Sequence, residues 1–298
     1  MPLGADLKPA PECVLTVGRP ARYPGCANDS EMSGIREFEY AGWQAAAQAY
    51  AESFAVATAQ FVQPLLDAVS ARAGMTILDV ACGPGVVSAR ATARGAKTTG
   101  IDFSPEMIRL ARQASPELEF HISDVEQLPF DNAHFDAAVV NFGLHHFEHP
   151  HNALAEIRRV LRPHACIAYT KWVSQRDNPP YRMILDAIAA HGTMDVPMPA
   201  GQDASLSIED LNQMTQKAGF TIKTTQMSPT EKLWRLPLGT DLIDMFSSAT
   251  ARMAILLRSQ SPEAMSSIRA QVAQNLRRYI QNEAIAIPVR AFVVSADC

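Results

Sequence analysis

Met75-Thr-Ile-Leu-Asp79-Val-Ala-Cys-Gly-Pro-Gly85 decides how this 298-residue chain is read. Ile77, Leu78 and Val80 are strand-forming apolar residues, and Gly83 and Gly85 remove side chains that would block a ligand. The pattern predicts a buried strand, a glycine-rich turn and a helix, which together present backbone N–H groups to a nucleotide-like molecule. Asp79 stands just before the turn. Dinucleotide-binding strands stay apolar up to their first glycine, because a buried carboxylate is costly and repels a pyrophosphate. A carboxylate here suits a ligand carrying positive charge.

Outward from this stretch, strand and helix signals alternate. Residues 98–103, 118–122, 135–141, 166–173 and 220–225 read as strands. Helices are expected at 85–94, after Ser104-Pro105 (cap and first helical position), at 152–161 and from Ser207. The run 135–141 is nearly all apolar, as a central parallel strand covered on both faces should be. The expectation is an α/β fold with a doubly wound, mostly parallel Rossmann-like sheet. The Ala-rich stretch around Trp43, Tyr50, Phe54 and Phe61 predicts a helical N-terminal cap. The Met- and Leu-rich helical pattern of 239–279 predicts a helical lid inserted before a last strand at 285–295, with plain core packing as the competing reading. The expected divisions are a loose arm at 1–30, a cap at 31–70, a core at 71–238 and 284–298, and a lid at 239–283.

Composition narrows the function classes. With 47% apolar and 19% charged residues the chain reads as an ordinary globular protein, and its formal charge of -5 offers nucleic acid no basic face. No apolar run reaches membrane-spanning length and no signal-peptide pattern opens the chain, so no membrane association and a cytoplasmic location are expected. Five cysteines, Cys13, Cys26, Cys82, Cys166 and Cys298, are scattered without metal-ligand spacing and read as free thiols. Cys82 suits the turn by its small size; a reactive thiol is the other reading. His149-Pro-His151 lacks carboxylate or thiol partners, and no metal is expected.

Two further acidic residues close successive strands. Asp102 ends the second strand about twenty residues past the turn, where a carboxylate accepts ribose hydroxyls or simply caps a helix. In Ile122-Ser-Asp124-Val125, Asp124 faces the same crevice and can accept from an adenine amino group, with Val125 offering an apolar surface to the ring.

Asp79-Val-Ala-Cys-Gly-Pro-Gly85, Gly100-Ile-Asp-Phe-Ser104, Asp124 with Leu128-Pro129-Phe130, Phe135-Asp136 and Leu161-Arg-Pro163 follow one another in an order that resembles the class I S-adenosylmethionine-dependent methyltransferases. The branch most resembled contains the quinone-biosynthesis and natural-product enzymes of secondary metabolism. The likeness covers residues 40–175, and 286–295 more weakly. It implies a seven-stranded sheet with the last strand antiparallel, S-adenosyl-L-methionine as cofactor, and a small-molecule acceptor. By the same resemblance Asp79 and the turn Gly83, Pro84 and Gly85 hold the methionine end. Asp102 holds the ribose, Phe103 and Met107 pack on the adenine, and Ser123, Asp124 and Val125 read its edge. Ala81 stands where many relatives have glycine, which costs little unless φ is positive there.

After the fourth strand, Asn141-Phe142-Gly-Leu-His145-His146 would lie beside the sulfonium. Either His145 or His146 could act as general base; both could equally shape the pocket. Tyr50 stands where relatives place an aromatic over the cofactor, or packs its helix. If the lid covers the pocket, Trp234, Met245, Phe246 and Met253 are candidate acceptor contacts, and the acceptor is hydrophobic. Transfer to oxygen, nitrogen or carbon stays open. Two rivals remain: an NAD(P)-dependent oxidoreductase, which Gly83-Pro-Gly85 and Asp102 half-fit, and a non-catalytic cofactor-binding protein of the same fold.

Overall fold

The computed structural model describes residues 34–197, 206–225 and 229–298. The expected loose arm at 1–30 lies outside them. A helix, α1 (Gly34–Ala49), leads through a π-helical turn (Tyr50–Phe54) into α2 (Ala55–Ala59) and α3 (Val62–Ala68). The alternating core follows: β1 (Thr76–Val80), α4 (Val86–Ala93), β2 (Lys97–Asp102), α5 (Pro105–Ala114), β3 (Glu119–Ile122), β4 (Phe135–Asn141), α6 (Pro150–Val160) and β5 (Leu161–Trp172). Next come α7 (Pro179–His191), α8 (Ile208–Lys217), β6 (Thr221–Thr225) and β7 (Thr230–Pro237). The helices α9 (Leu242–Ala249), α10 (Arg252–Arg258) and α11 (Pro262–Leu276) precede the short β8 (Ile280–Gln281) and the long β9 (Ala284–Asp297).

One sheet of nine strands results, in the order β3-β2-β1-β4-β5-β9-β6, with β7 and β8 also paired to β9. β1 to β5 pair in parallel, whereas β9 is antiparallel to β5 and to β6, β7 and β8. The antiparallel last strand is as the sequence led one to expect. The sheet exceeds seven strands because β9 runs on for 14 residues and carries β7 and β8 as additional partners. The order reverses at β1, between β2 and β4, and that switch point is where α/β sheets open a crevice at their carboxyl edge.

Local chemistry explains the helix starts around this edge. Ser104 Oγ accepts the Met107 N–H (3.2 Å) and Pro105 occupies the first helical position of α5. Ser207 and Asp210 form a reciprocal capping box on α8. Gly85 adopts φ +81, and a Cβ there would lie 2.9 Å from Phe120 Cζ, so the turn accepts only glycine.

The apolar residues divide between the sheet faces and the late helices. Leu78, Val80, Ala138, Val140 and Tyr169 pack under α6 and α8; Ile77, Ala137 and Val139 pack under α3 and α4. A third cluster joins Phe54 and Phe61 to α7, β7, α9, α10, α11 and β9. Trp234 and Phe246 are fully buried at its centre, with Phe54 ring centroids 5.0 and 5.2 Å from theirs. Trp234 lies on β7, an element the sequence reading passed over; pairing with β9 turns its side chain inward. Trp234 and Phe246 are therefore core residues and do not face an acceptor, and Met245 packs against the same cluster. Trp234→Ala should cost about 3–5 kcal/mol of unfolding free energy, measured by chemical denaturation. A loss under about 1 kcal/mol would contradict the core placement.

Candidate active site

A cavity of about 800 Å³ opens at the carboxyl edge of β1, β2, β4 and β5. Of the residues singled out in the sequence, it is lined by Tyr50, Ala81, Gly83, Asp102, Phe103, Met107, Ser123, Asp124, Val125, Asn141, Phe142, His145, His146 and Met253. Six stretches far apart in the chain thus meet at one place. Asp79, Pro84, Gly85, Trp234, Met245 and Phe246 do not line it. Pro84 borders a small adjoining recess with Tyr50 and Thr58.

Asp79 departs from the expectation that it meets the methionine end directly. Its carboxylate turns back under the turn, where Oδ2 accepts the Ser88 N–H (2.9 Å) and Ser88 O–H (2.7 Å) in α4. The short side chain reaches the helix start before it can reach the cavity. Its other oxygen is buried without a partner, and burial pushes the carboxyl up to about 7 against the hydrogen bonds from Ser88. Asp79 braces the turn from behind.

Asp102 links the second strand to the turn. Its Oδ2 accepts the Gly83 N–H (2.9 Å) and its Oδ1 the Ser104 N–H (2.9 Å). Burial raises it to about 6, opposed by these backbone donors and by His146. A carboxylate has about four lone-pair positions, so two remain for ligand hydroxyls. Gly83 has φ +53, and a Cβ built there would find nothing closer than Met107 Sδ at 3.9 Å: an open cradle facing the cavity.

The N-terminal helix supplies groups the sequence reading missed. Glu39, fully buried on α1, accepts from Arg252 Nε (2.9 Å) and Trp43 Nε1 (3.1 Å) and pairs with His146 Nδ1 (3.0 Å). Burial pushes this carboxyl up, but His146 and Arg252 together hold it below the usual carboxylate range. The signal was present: Glu39 falls in helical phase with Ile35, Trp43 and Ala46, a charge on a buried stripe. Arg36, one turn earlier, pairs with Asp124 and reaches Glu148 (3.5 Å) and Glu126 (3.8 Å). Asp124 is thus already engaged by a cation, which its expected role as an adenine acceptor did not include. Gln44 accepts from Ser104 Oγ and from the Glu106 N–H (2.9 Å), seating α1 on α5.

His145 and His146 stand on a single 3-10 turn after β4, their ring centroids 4.0 Å apart. Burial first, then the nearby charges of His146, Lys171 and Arg252, holds His145 well below the usual imidazole range, so it is neutral at pH 7. Its Nδ1 is buried without a partner. His146 is the better oriented of the two, held by Glu39 and edge-on to Trp43 at 4.9 Å. Asn141 accepts from Thr170 Oγ1 (2.8 Å), which in turn accepts the Phe142 N–H (2.8 Å), and Phe142 stacks on Trp172 at 3.9 Å. Tyr50 hydrogen-bonds Thr58 (3.0 Å), and burial raises its phenol to about 12. Among the described residues no group of three or more His, Cys, Asp or Glu is gathered for a metal.

The switch-point crevice, the open glycine cradle and the acidic strand ends belong to one doubly wound α/β domain. Residues 78–169 match the family described as the methyltransferase domain. It is similar to a demethylmenaquinone methyltransferase of Chlorobaculum parvum, 43% identical over 30% of this chain and 38% of that protein. A malonyl-[acyl-carrier protein] O-methyltransferase of Salmonella typhimurium is 32% identical over 41% and 53%. The chain thus matches about half or less of the length of these relatives. In fold it resembles the YcgJ protein of Bacillus subtilis (18% identity, TM-score 0.52, 80% of this chain and 97% of that one). The methyltransferase match leaves the oxidoreductase reading without support.

Two outcomes follow from this geometry. Ala81 has φ +53, a left-handed conformation that costs a Cβ-bearing residue energy, so it falls under the exception the sequence reading allowed for. Ala81→Gly should stabilise the protein by about 1 kcal/mol in thermal unfolding. Glu39 has a folded-state value below its unfolded one, so its stability contribution is present above about pH 4.5 and is lost as pH falls through the lower value. Glu39→Gln should therefore cost about 3 kcal/mol at pH 7, and the difference from wild type should shrink below pH 4.5. A deficit that does not change between pH 7 and pH 4 would exclude the ionised pair.

Proposed function

We propose that the chain is an S-adenosylmethionine-dependent methyltransferase acting on a hydrophobic small-molecule acceptor. The observation that carries this reading is the single cavity joining the Gly83 cradle and Asp102 at one end to an aromatic wall of Phe54, Trp172 and Tyr181. Its volume of about 800 Å³ lies in the range of small-molecule sites, about 300–1,000 Å³. The names of the relatives, for a quinone precursor and an acyl thioester carrier, support organic acceptors.

The residues present fit the cofactor. Gly83 leaves room for it, Asp102 has lone pairs for ribose hydroxyls, and Phe103, Met107 and Val125 offer apolar surface to the adenine. Asp102, ionised above about pH 6, makes this end of the cavity negative, which favours a cationic ligand. When bound, S-adenosylmethionine supplies an electrophilic methyl group on a sulfonium leaving group. The protein's part is to hold the acceptor in line, exclude water and manage a proton. His146, oriented by Glu39, is the base for a protonated acceptor, because its carboxylate partner stabilises the imidazolium that forms. His145, held neutral, offers a hydrogen-bonding ring beside it. The helices α9 to α11 act as a cap through Ala249 to Met253 only.

Calorimetry with S-adenosylhomocysteine tests the reading. Saturable binding is expected, and Asp102→Ala should weaken it by about 1–3 kcal/mol. Affinity should rise between pH 5 and pH 7.5, because Asp102 must shed its proton near pH 6 to accept two hydroxyls. No binding would refute the assignment. Binding without S-adenosylhomocysteine formation from S-adenosylmethionine across a broad acceptor panel would favour a non-catalytic binding protein. His146→Ala should lower kcat at least a hundredfold with little change in cofactor affinity.

A further inference from the structure

Lys171 is the cavity cation that the site described so far does not use. It lies near the carboxyl end of β5, next to Thr170, which pairs with Asn141 of β4. It is 8% exposed and lines the cavity, yet among the described residues it makes no ion pair or hydrogen bond. The other cavity cations are matched: Arg36 by Asp124 and Glu148, Arg252 by Glu39, and Arg176 by Asp186 at 3.8 Å.

An unpaired ammonium in a buried setting costs free energy, and a methionine of similar shape would pack there without that cost. Burial alone depresses the lysine, with no nearby carboxylate opposing it. The cavity's charges are also sorted by strand. Asp102 and Asp124 stand at the ends of β2 and β3, whereas Lys171 is on β5, three strand spacings or about 14 Å from β2. His145 and His146 follow β4, between them, and the field of Lys171 reaches His145. Around Lys171 the wall is apolar, with Trp172, Val173 and Phe292.

We propose that Lys171 is a specificity-determining residue that receives a carboxylate of the acceptor, so that the acceptor is an apolar organic acid with its methyl-accepting atom turned toward His146. The proposal rests on the methyltransferase reading and names its substrate class. A carboxylate fits better than a phenol or enol, because it is already ionised at neutral pH and need not lose a proton inside an apolar cavity. The acidic end would repel such an anion, which fixes the direction in which it lies.

The test uses the full chain saturated with S-adenosylhomocysteine, with 1-naphthoate and its uncharged isostere 1-naphthamide as calorimetric probes. Naphthoate should bind at least tenfold tighter than naphthamide, Lys171→Met should abolish that preference, and Lys171→Arg should restore part of it. S-adenosylhomocysteine affinity should be the same in all three proteins. The melting temperature of Lys171→Met without probe should rise, as expected when an unmatched buried charge is removed. Equal binding of the two probes, no naphthoate binding to protein that does bind S-adenosylhomocysteine, or a naphthoate preference surviving in Lys171→Met would overturn the proposal. Failure to bind S-adenosylhomocysteine would instead strike the methyltransferase reading beneath it.

Discussion

The Glu39 carboxylate is the constraint on which the site depends. It belongs to the first described helix, yet its partners are Arg252 of α10, more than two hundred residues away, and His146 beyond β4. A fully buried carboxylate with fewer partners would have to take up a proton or draw in water. Three donors, Trp43 Nε1 among them, satisfy it here. The consequence is geometric: cap, late helices and the histidine turn are held to one another through a single charged centre, and Trp43 and Tyr50 are brought to the cavity wall with ring centroids 5.5 Å apart. Without that centre the α1 helix would still be tied down through Arg36 and Gln44, but the His146 ring would lose the partner on its Nδ1.

How much of this was legible in the sequence depends on the range of the interaction. The β1 turn, the order of the parallel strands and the acidic strand ends are local patterns, set by alternation and glycine placement, and they were readable. Asp79 shows the limit of that reading. Its position before the turn was clear, but its direction was not, because the competing acceptor role toward Ser88 lies nine residues on in α4. Trp234 and Phe246 were misplaced for another reason. An apolar residue reads alike in a lid or a core, and only the pairing of β7 with β9 decides between them. Glu39 and Lys171 were both visible as lone charges within buried patterns. Each was passed over because an isolated charge in a helix or strand acquires meaning only from what the fold sets beside it.

The sorting of charge across the cavity follows from topology. Parallel strands deliver their carboxyl ends to one edge, so residues that terminate neighbouring strands become neighbours in the site whatever their separation in sequence. Asp102 is acidic on the strand next to β1 on one side, and Lys171 is basic two strands away on the other. Asn141 and the histidine turn fall between them. A ligand positive at one end and an acceptor negative at the other would meet over β4, where Phe142 and Trp172 form an apolar floor.

This edge also gathers several locally unfavourable features. Ala81 and Phe142 have positive φ without being glycine, Asp79 and His145 each keep a buried polar atom without a partner, and Lys171 is an unmatched cation. A chain selected only for stability would relieve most of these by single substitutions. The buried hydroxyls of the β5–α8 contact, by contrast, are served: Tyr169 hydroxyl meets Thr215 at 3.1 Å, and Thr215 donates to the Leu211 carbonyl at 2.7 Å. Strain and unmet polarity beside a crevice are what a fold retains where a ligand completes the structure. The β1 turn is the clearest instance: a left-handed Ala81 and an Asp79 with one unmet oxygen both belong to the turn that opens at Gly83.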